Sequence, residues 1–260
     1  MSLNVFITGA SSGIGAALAR EFARRGATLG LVARRKEALD EIISTLENPE
    51  KHYAYPCDVT DRDHLIAVGR EFDKVTGGAD IVIANAGISV GVKTQYYEDL
   101  DVMEKVYATN VFAMASTFHA FIEPMIGRKR GTLVGIGSVG GIRGMPGTEA
   151  YCSSKSAVIT YCESLRVEMK KYGVHVACLS PGFVKTPLTD VTPYPMPFIL
   201  TPDEFAQRAA KAIMEKRSYA TIPWQMGIVA KLLRILPNDL FDKVFGNRKQ
   251  KPRNSEIHRA

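Results

Sequence analysis

A β-branched and aromatic run over residues 3–8 stops at Gly9, and the residues that follow are Ala10-Ser11-Ser12-Gly13-Ile14-Gly15. A helical stretch over about 14–25 comes next and ends at Gly26. Strand, glycine-rich turn and helix in that order leave few folds open. Glycine lets a backbone turn sharply and approach a pyrophosphate closely. The first turn of a helix adds unpaired N–H groups and the positive end of its dipole. A glycine cluster by itself asks for no more than a tight turn. Between a buried strand and a helix it predicts a dinucleotide-binding turn, with Gly9, Ser11, Ser12, Gly13, Ile14 and Gly15 against the ligand.

The alternation continues along the chain. Strands are predicted over about 28–33, 52–56, 79–84, 131–136 and 174–179, and helices over about 36–47, 62–75, 101–126 and from the region of Tyr151 to 172. Apolar runs separated by helices imply an α/β fold, a doubly wound parallel sheet with helices on both faces in a single domain. Ligands of such sheets lie beyond the carboxyl ends of the strands. Gly9, Arg34, Asp58, Asn85, Ser138 and Pro181 all follow predicted strand ends, so one cleft collects them.

The second strand runs into Ala33-Arg34-Arg35-Lys36, where such a fold discriminates the adenosine ribose of its ligand. An acidic residue there would bind a 2′-hydroxyl and repel a 2′-phosphate, and none is present. Cations at a helix start are disfavoured by the dipole, which argues for an anionic partner over a merely solvated basic turn. Arg34 can hold a phosphate bidentately, with Arg35 beside it, so NADP(H) is expected in preference to NAD(H).

Composition narrows the rest. Of the net charge of +6, four units sit after Phe245, where Arg248, Lys249, Lys251, Arg253 and Arg259 face only Glu256; the +2 left on the body argues against a nucleic-acid-binding core. Cys57, Cys152, Cys162 and Cys178 lack metal-site spacing, so no metal is expected and the thiols read as reduced. With no leader-like segment and no apolar run of membrane-spanning length, a cytoplasmic protein is expected. Residues 223–247 are apolar and amphipathic and are followed by a basic tail over 248–260. They read either as helices covering the pocket or a subunit interface, or as a helix lying peripherally on the inner face of a membrane. The proline-rich stretch 185–202 is too long and apolar for a plain loop and reads as a substrate lid, or otherwise as a rigid crossover. Ile142, Met145, Tyr194, Met196 and Phe198, with Trp224, suggest an apolar pocket.

Tyr151 and Lys155 stand four residues apart on a predicted helix, so phenol and ammonium share one face and the cation favours ionisation of the phenol. Together with Thr8-Gly-x-x-x-Gly13-x-Gly15, Asp58, Asn85-Ala86-Gly87, Asn110, Ser138 and Pro181-Gly182, the pair makes the chain resemble the short-chain dehydrogenase/reductase family over about residues 3–222. Ala84 departs from that pattern, which usually has Asn there. The resemblance implies a Rossmann-type fold of seven strands, the last over 218–222. It also implies hydride transfer between a nicotinamide cofactor and a carbonyl/alcohol pair, through a tetrad of Asn110, Ser138, Tyr151 and Lys155. Cofactor contacts are implied for Asp58, Val59, Asn85, Ala86, Gly87, Tyr151, Lys155, Pro181, Gly182, Val184 and Thr186, and substrate contact for Ser138. Homodimers or homotetramers are implied through the helices holding Asn110 and Tyr151, whose faces include Phe112, Met114, Phe118, Val158 and Tyr161. A cofactor-binding redox sensor without turnover is the alternative, and an intact tetrad speaks against it.

Overall fold

The computed structural model describes residues 3–190, 192–193, 195–247 and 249–253. Seven strands, β1 (Asn4–Thr8), β2 (Thr28–Ala33), β3 (Tyr53–Pro56), β4 (Ile81–Ala84), β5 (Thr132–Ile136), β6 (His175–Pro181) and β7 (Tyr219–Ile222), form one sheet. Its order is β3-β2-β1-β4-β5-β6-β7. Every pairing is parallel. Strand order reverses between β1 and β4, which opens the crevice at their carboxyl ends.

The helices among the described residues are α1 (Gly13–Arg24), α2 (Lys36–Ser44), α3 (Arg62–Thr76), α4 (Glu98–Tyr107), α5 (Ala113–Arg128), α6 (Glu149–Met169), α7 (Pro187–Asp190), α8 (Pro202–Met214), α9 (Trp224–Ile235) and α10 (Asn238–Phe245). The side-chain period of two along β1 decides the layering. Val5 and Ile7 enter one core with Leu18 and Phe22 of α1, Leu39 of α2 and Phe205 of α8. Phe6 enters the other with Phe72 of α3, Phe118 and Phe121 of α5, and Val158 of α6. The sheet is therefore covered on both faces, in the Rossmann-type arrangement.

Three of the departures from the sequence reading have local reasons. The strand predicted from 79 starts at Ile81, because the Ala79 amide donates to Asp73 Oδ1 at 2.8 Å. The second helix stops at Ser44, where the hydroxyls of Ser44 and Thr45 donate to the carbonyls of Glu41 and Ile42. The helix expected as one rod over 101–126 is α4, a π-helical turn over Ala108–Phe112 and α5. That turn carries Asn110.

Met114, Phe118 and Val158 belong to the second core of their own chain, so they are not free to face a partner subunit; Phe112 is exposed. The C-terminal helices lie over the crevice, as a cover. Arg143 fastens them, donating to Arg234 O at 3.3 Å and Asn238 Oδ1 at 3.0 Å and lying 4.3 Å over the Phe241 ring. Trp224, Ile228, Leu232 and Ile235 project outward from α9. No helix among the described residues is long and apolar enough to cross a membrane.

Part of the basic tail is fastened to the body. Residues 249–253 dock against the body, where Arg253 forms a parallel bridge with Gly91 and the Gly91 amide donates to Pro252 O at 3.2 Å. Arg253 is buried, pairs with Asp99 through Nε at 2.7 Å and Nη2 at 3.0 Å, reaches Glu98 at 2.9 Å, and stacks 3.7 Å over Tyr96. Its charge-assisted hydrogen bonds hold the Asp99 carboxyl below the usual carboxylate range against the cost of burial. Arg248 and residues 254–260 lie outside the described residues.

Candidate active site

A cavity of about 870 Å³ runs along the carboxyl ends of the strands. At one end it is walled by Gly9, Ser11, Ser12, Gly13 and Ile14. Gly9 and Gly13 have φ of +67° and +53°. A β-carbon at Gly9 would lie 2.8 Å from Ala86 Cα, and one at Gly15 only 2.1 Å from Gly9 O. Gly15 itself does not line the cavity; it lets α1 press against the end of β1. Ser12 gives no side-chain cap and no acidic residue stands in the first turn of α1, so that N-terminus keeps its donors for an anion.

The adjoining loops are clamped to the same turn. Asn85 Nδ2 donates to Thr8 O and Gly9 O at 3.0 and 3.1 Å, and the amides of Asn85 and Ala86 donate to Thr8 Oγ1. Arg34 lines the cavity, whereas Arg35 and Lys36 do not, and Lys36 pairs with Asp40 instead. Asp58, beside Arg34, accepts from the Thr60 amide at 2.9 Å and its hydroxyl at 2.8 Å; these bonds and the Arg34 charge hold its carboxyl below the usual range. Val59, Ala86, Gly87, Pro181, Gly182, Val184 and Thr186 complete this wall.

The four tetrad residues meet around two glycines. A β-carbon at Gly140 would lie 3.4 Å from both Ser138 Oγ and Tyr151 Cε1; one at Gly87 would lie 3.2 Å from Asn110 Oδ1 and 3.4 Å from Lys155 Nζ. Ser138 Oγ accepts the Gly140 amide at 3.0 Å, which leaves the hydroxyl proton to be given elsewhere. Lys155 is buried and donates to Ile136 O at 2.8 Å, and burial pushes its ammonium down to about 8. Asn110 is also buried and does not line the cavity. Its Oδ1 accepts from the Ile88 amide at 2.8 Å, while Nδ2 donates to Ile88 O and to Ser154 Oγ, both at 3.0 Å. Ser154 in turn donates to Tyr151 O at 2.8 Å. This link between Asn110 and the Tyr151 backbone was not foreseen from the sequence, where Ser154 sits in a run of small or polar residues, Cys152-Ser153-Ser154-Lys155-Ser156-Ala157.

The remaining wall is largely apolar, apart from Lys105, Arg143, Lys249 and Lys251, and its apolar part comes mostly from the C-terminal cover. Met226, Val229, Ala230, Leu233 and Phe245 line it with Met145, Phe183 and Pro195. Ile142, Met196, Phe198 and Trp224 do not, and Phe198 and Trp224 are 53% and 66% exposed; Tyr194 lies outside the described residues. The spacing 226, 229/230 and 233 is the inward stripe of α9 and was the available signal. The segment that begins at Lys185 is closed at its base, with Lys185 N donating to Leu200 O at 2.9 Å and Leu200 N to Phe183 O at 3.0 Å.

Residues 3–194 match the family model described as short chain dehydrogenase. The chain belongs to the short-chain dehydrogenase family. An uncharacterized oxidoreductase of Myxococcus xanthus is 37% identical over 243 residues, 91% of this chain and 93% of the relative. Mouse epidermal retinol dehydrogenase 2 is 35% identical, over 90% of this chain and 78% of its own. Among solved structures, a short-chain dehydrogenase of Sphingobium yanoikuyae in complex with NADPH superposes with a TM-score of 0.78 at 26% identity, covering 95% of this chain and 97% of that one. The family membership accounts for the Rossmann-type sheet. The C-terminal cover lies beyond the residues matched by the family model.

Proposed function

We propose that this short-chain dehydrogenase transfers a hydride between NADP(H) and a carbonyl/secondary-alcohol pair on a largely apolar substrate, with Tyr151 as the acid/base. The observation that carries this reading is one continuous cavity. It has the open N-terminus of α1 and Arg34 at one end, and Ser138, Tyr151 and the apolar cover at the other. The cradle at Gly9 and Gly13 and the uncapped helix suit a pyrophosphate, and Arg34 suits a 2′-phosphate. The nicotinamide ring, when bound, supplies the hydride chemistry.

The chain's own residues handle the proton and the oxygen. Ser138, its oxygen already taking the Gly140 amide, donates a hydrogen bond to the substrate oxygen, keeping its proton, and polarises the carbonyl. Tyr151 donates the proton during reduction and accepts it during oxidation. Lys155 places a positive charge beside the phenol and favours its ionised form. Asn110 acts as a positioning residue, tying the loop after β4 to α6 through Ser154. Its Oδ1 is the atom left to receive a water relaying protons from Lys155 to solvent.

The test is NADPH oxidation over a panel of apolar ketones and aldehydes of graded size. Tight NADPH binding with no turnover across the panel would sink the enzyme reading. Cofactor choice is tested separately. Arg34→Ala is expected to lower kcat/KM for NADPH by roughly 10–100-fold, as for the loss of a charge-assisted phosphate contact, and to leave NADH nearly unchanged. Equal losses with both cofactors would remove Arg34 from the 2′-phosphate site. The chain is also proposed to form homodimers or homotetramers through the outer faces of the π-helical turn, α5 and α6, where Phe112 and Val167 are exposed. Light scattering is expected to give two or four chains per particle, and a monomer at micromolar concentration would overturn the assembly.

A further inference from the structure

Lys251 stands out among the groups the mechanism does not use. It is only 5% exposed, it lines the cavity, and its Nζ donates to Ser89 Oγ at 3.0 Å and Leu188 O at 3.1 Å. Ser89 lies in the segment after β4 and Leu188 in α7 after β6, so the ammonium bridges the segments that follow these two strands. Among the described residues no carboxylate lies within ion-pair distance of it, unlike Arg253 two positions on. The cavity around it is as one-sided. Lys105, Arg143, Lys249 and Lys251 line it, and the single carboxylate on its wall among the described residues is Asp58, beside Arg34. A buried ammonium with two neutral acceptors has given up most of its hydration for incomplete pairing, and an anion is what would complete it. Burial pushes Lys251 down to about 8, the direction that an arriving anion reverses.

We propose that Lys251, presented by the docked strap 249–253, is a binding residue for an anionic oxygen of the ligand in this cavity, a phosphate of the cofactor or a carboxylate or phosphate on the substrate. The strap is anchored from outside the cavity. Arg253 is locked to Asp99 and Glu98, and a β-carbon at Gly147 would lie 2.8 Å from Gln250 Cβ. The charge is thereby held over the cleft by a part of the chain that the glycine turn and the tetrad do not need. The inference extends the proposed function by naming a charged group on the ligand, and it rests on that reading only for the substrate arm.

Two binding measurements on the full chain separate the sources, and neither needs turnover. The first is the Kd for NADPH. The second, on protein saturated with NADP+, compares decanoate with decanamide, which share an apolar body and differ in charge. Lys251→Gln keeps a neutral donor for Ser89 and Leu188 and removes the charge, and Lys251→Arg restores the charge. In the Gln variant a loss of at least about tenfold is expected, the size of one charge-assisted hydrogen bond, with recovery in the Arg variant. A loss for NADPH assigns the anion to the cofactor, and a loss for decanoate alone assigns it to the substrate. If both affinities change by less than about twofold in the Gln variant, or if decanoate and decanamide weaken equally with NADPH unchanged, the proposal is overturned and Lys251 only pins the strap. Asp99→Asn, which loosens Arg253, is expected to reproduce the Lys251→Gln loss in the same arm. Failure of every carbonyl to turn over in the wild type would count against the enzyme reading and leave both binding results standing.

Discussion

Tyr151→Phe is expected to lower kcat by a factor on the order of 10²–10⁴, the range associated with a positioned general acid/base. The variant removes one oxygen from a ring that borders Gly140 opposite Ser138 and leaves the packing of α6 intact. Cofactor affinity is expected to stay within about twofold, because the glycine turn, Arg34 and the loop after β4 are untouched. The measurement is paired: NADPH binding by fluorescence titration, and single-turnover oxidation with the best ketone of the panel. Binding retained with turnover lost places the defect in the proton transfer. Substantial residual turnover would mean that another group moves the proton, and Tyr151 would lose its role.

Lys155→Met is expected to move activity and stability in opposite directions. The ammonium is buried against the Ile136 carbonyl, and among the described residues no carboxylate stands within ion-pair distance. Methionine of similar length removes the charge beside Tyr151, and kcat should fall by roughly 10²–10⁴-fold. It also removes a desolvated cation from the core, so the cofactor-free protein should unfold at a higher temperature than the wild type. The pH dependence has a definite sign. Burial lowers the folded-state pKa of Lys155 to about 8 from the ordinary lysine value of 10.5. Below pH 8 both states carry the proton and the burial penalty is present in full. Between about 8 and 10.5 the folded protein gives up its proton first, and the penalty fades. The stability advantage of the Met variant should therefore be largest below pH 8 and shrink as pH rises through that window. Thermal unfolding of both proteins across pH 7–10 checks this, and a wild type more stable than the variant at pH 7 would show that the cation is better paired than its contacts indicate.

Much of the site was legible because its chemistry depends on residue types at fixed distances along the chain. Gly9 and Gly13 occupy left-handed backbone at the turn, and Gly15 sits where a β-carbon would strike the Gly9 carbonyl. Those demands exist before any long-range contact forms, and they write themselves into the sequence as glycine. The strands were legible for a similar reason. A parallel strand covered on both faces is apolar throughout, and Val5, Phe6 and Ile7 divide between two cores by alternation alone.

The substrate side obeyed no such local rule. Phe198 and Met196 looked like pocket residues because they are apolar and lie in a long proline-rich loop, yet they stay outside the cavity wall. Its apolar wall is built largely from α9 and from Phe245, more than 35 positions beyond α7, and its membership depends on how α9 crosses the sheet end. Met114, Phe118 and Val158 show the same limit. Apolar residues on a helix face read alike whether they meet a partner subunit or their own core.

The glycine turn, the strand-end residues and the Tyr151/Lys155 spacing were thus determined by the sequence itself, since each answers to backbone geometry or to one helical turn. Tertiary structure alone decided which apolar face closes the cavity, that Asn110 is held at a π-helical turn by Ile88 and Ser154, and that residues 249–253 dock on the body. Arg253 and Lys251 carry the same charge and stand two residues apart. One is neutralised by Asp99 and Glu98, more than 150 positions earlier, and the other is left over the cleft without a counter-charge among the described residues. Only the fold brings those carboxylates to one lysine's neighbour and away from the lysine itself.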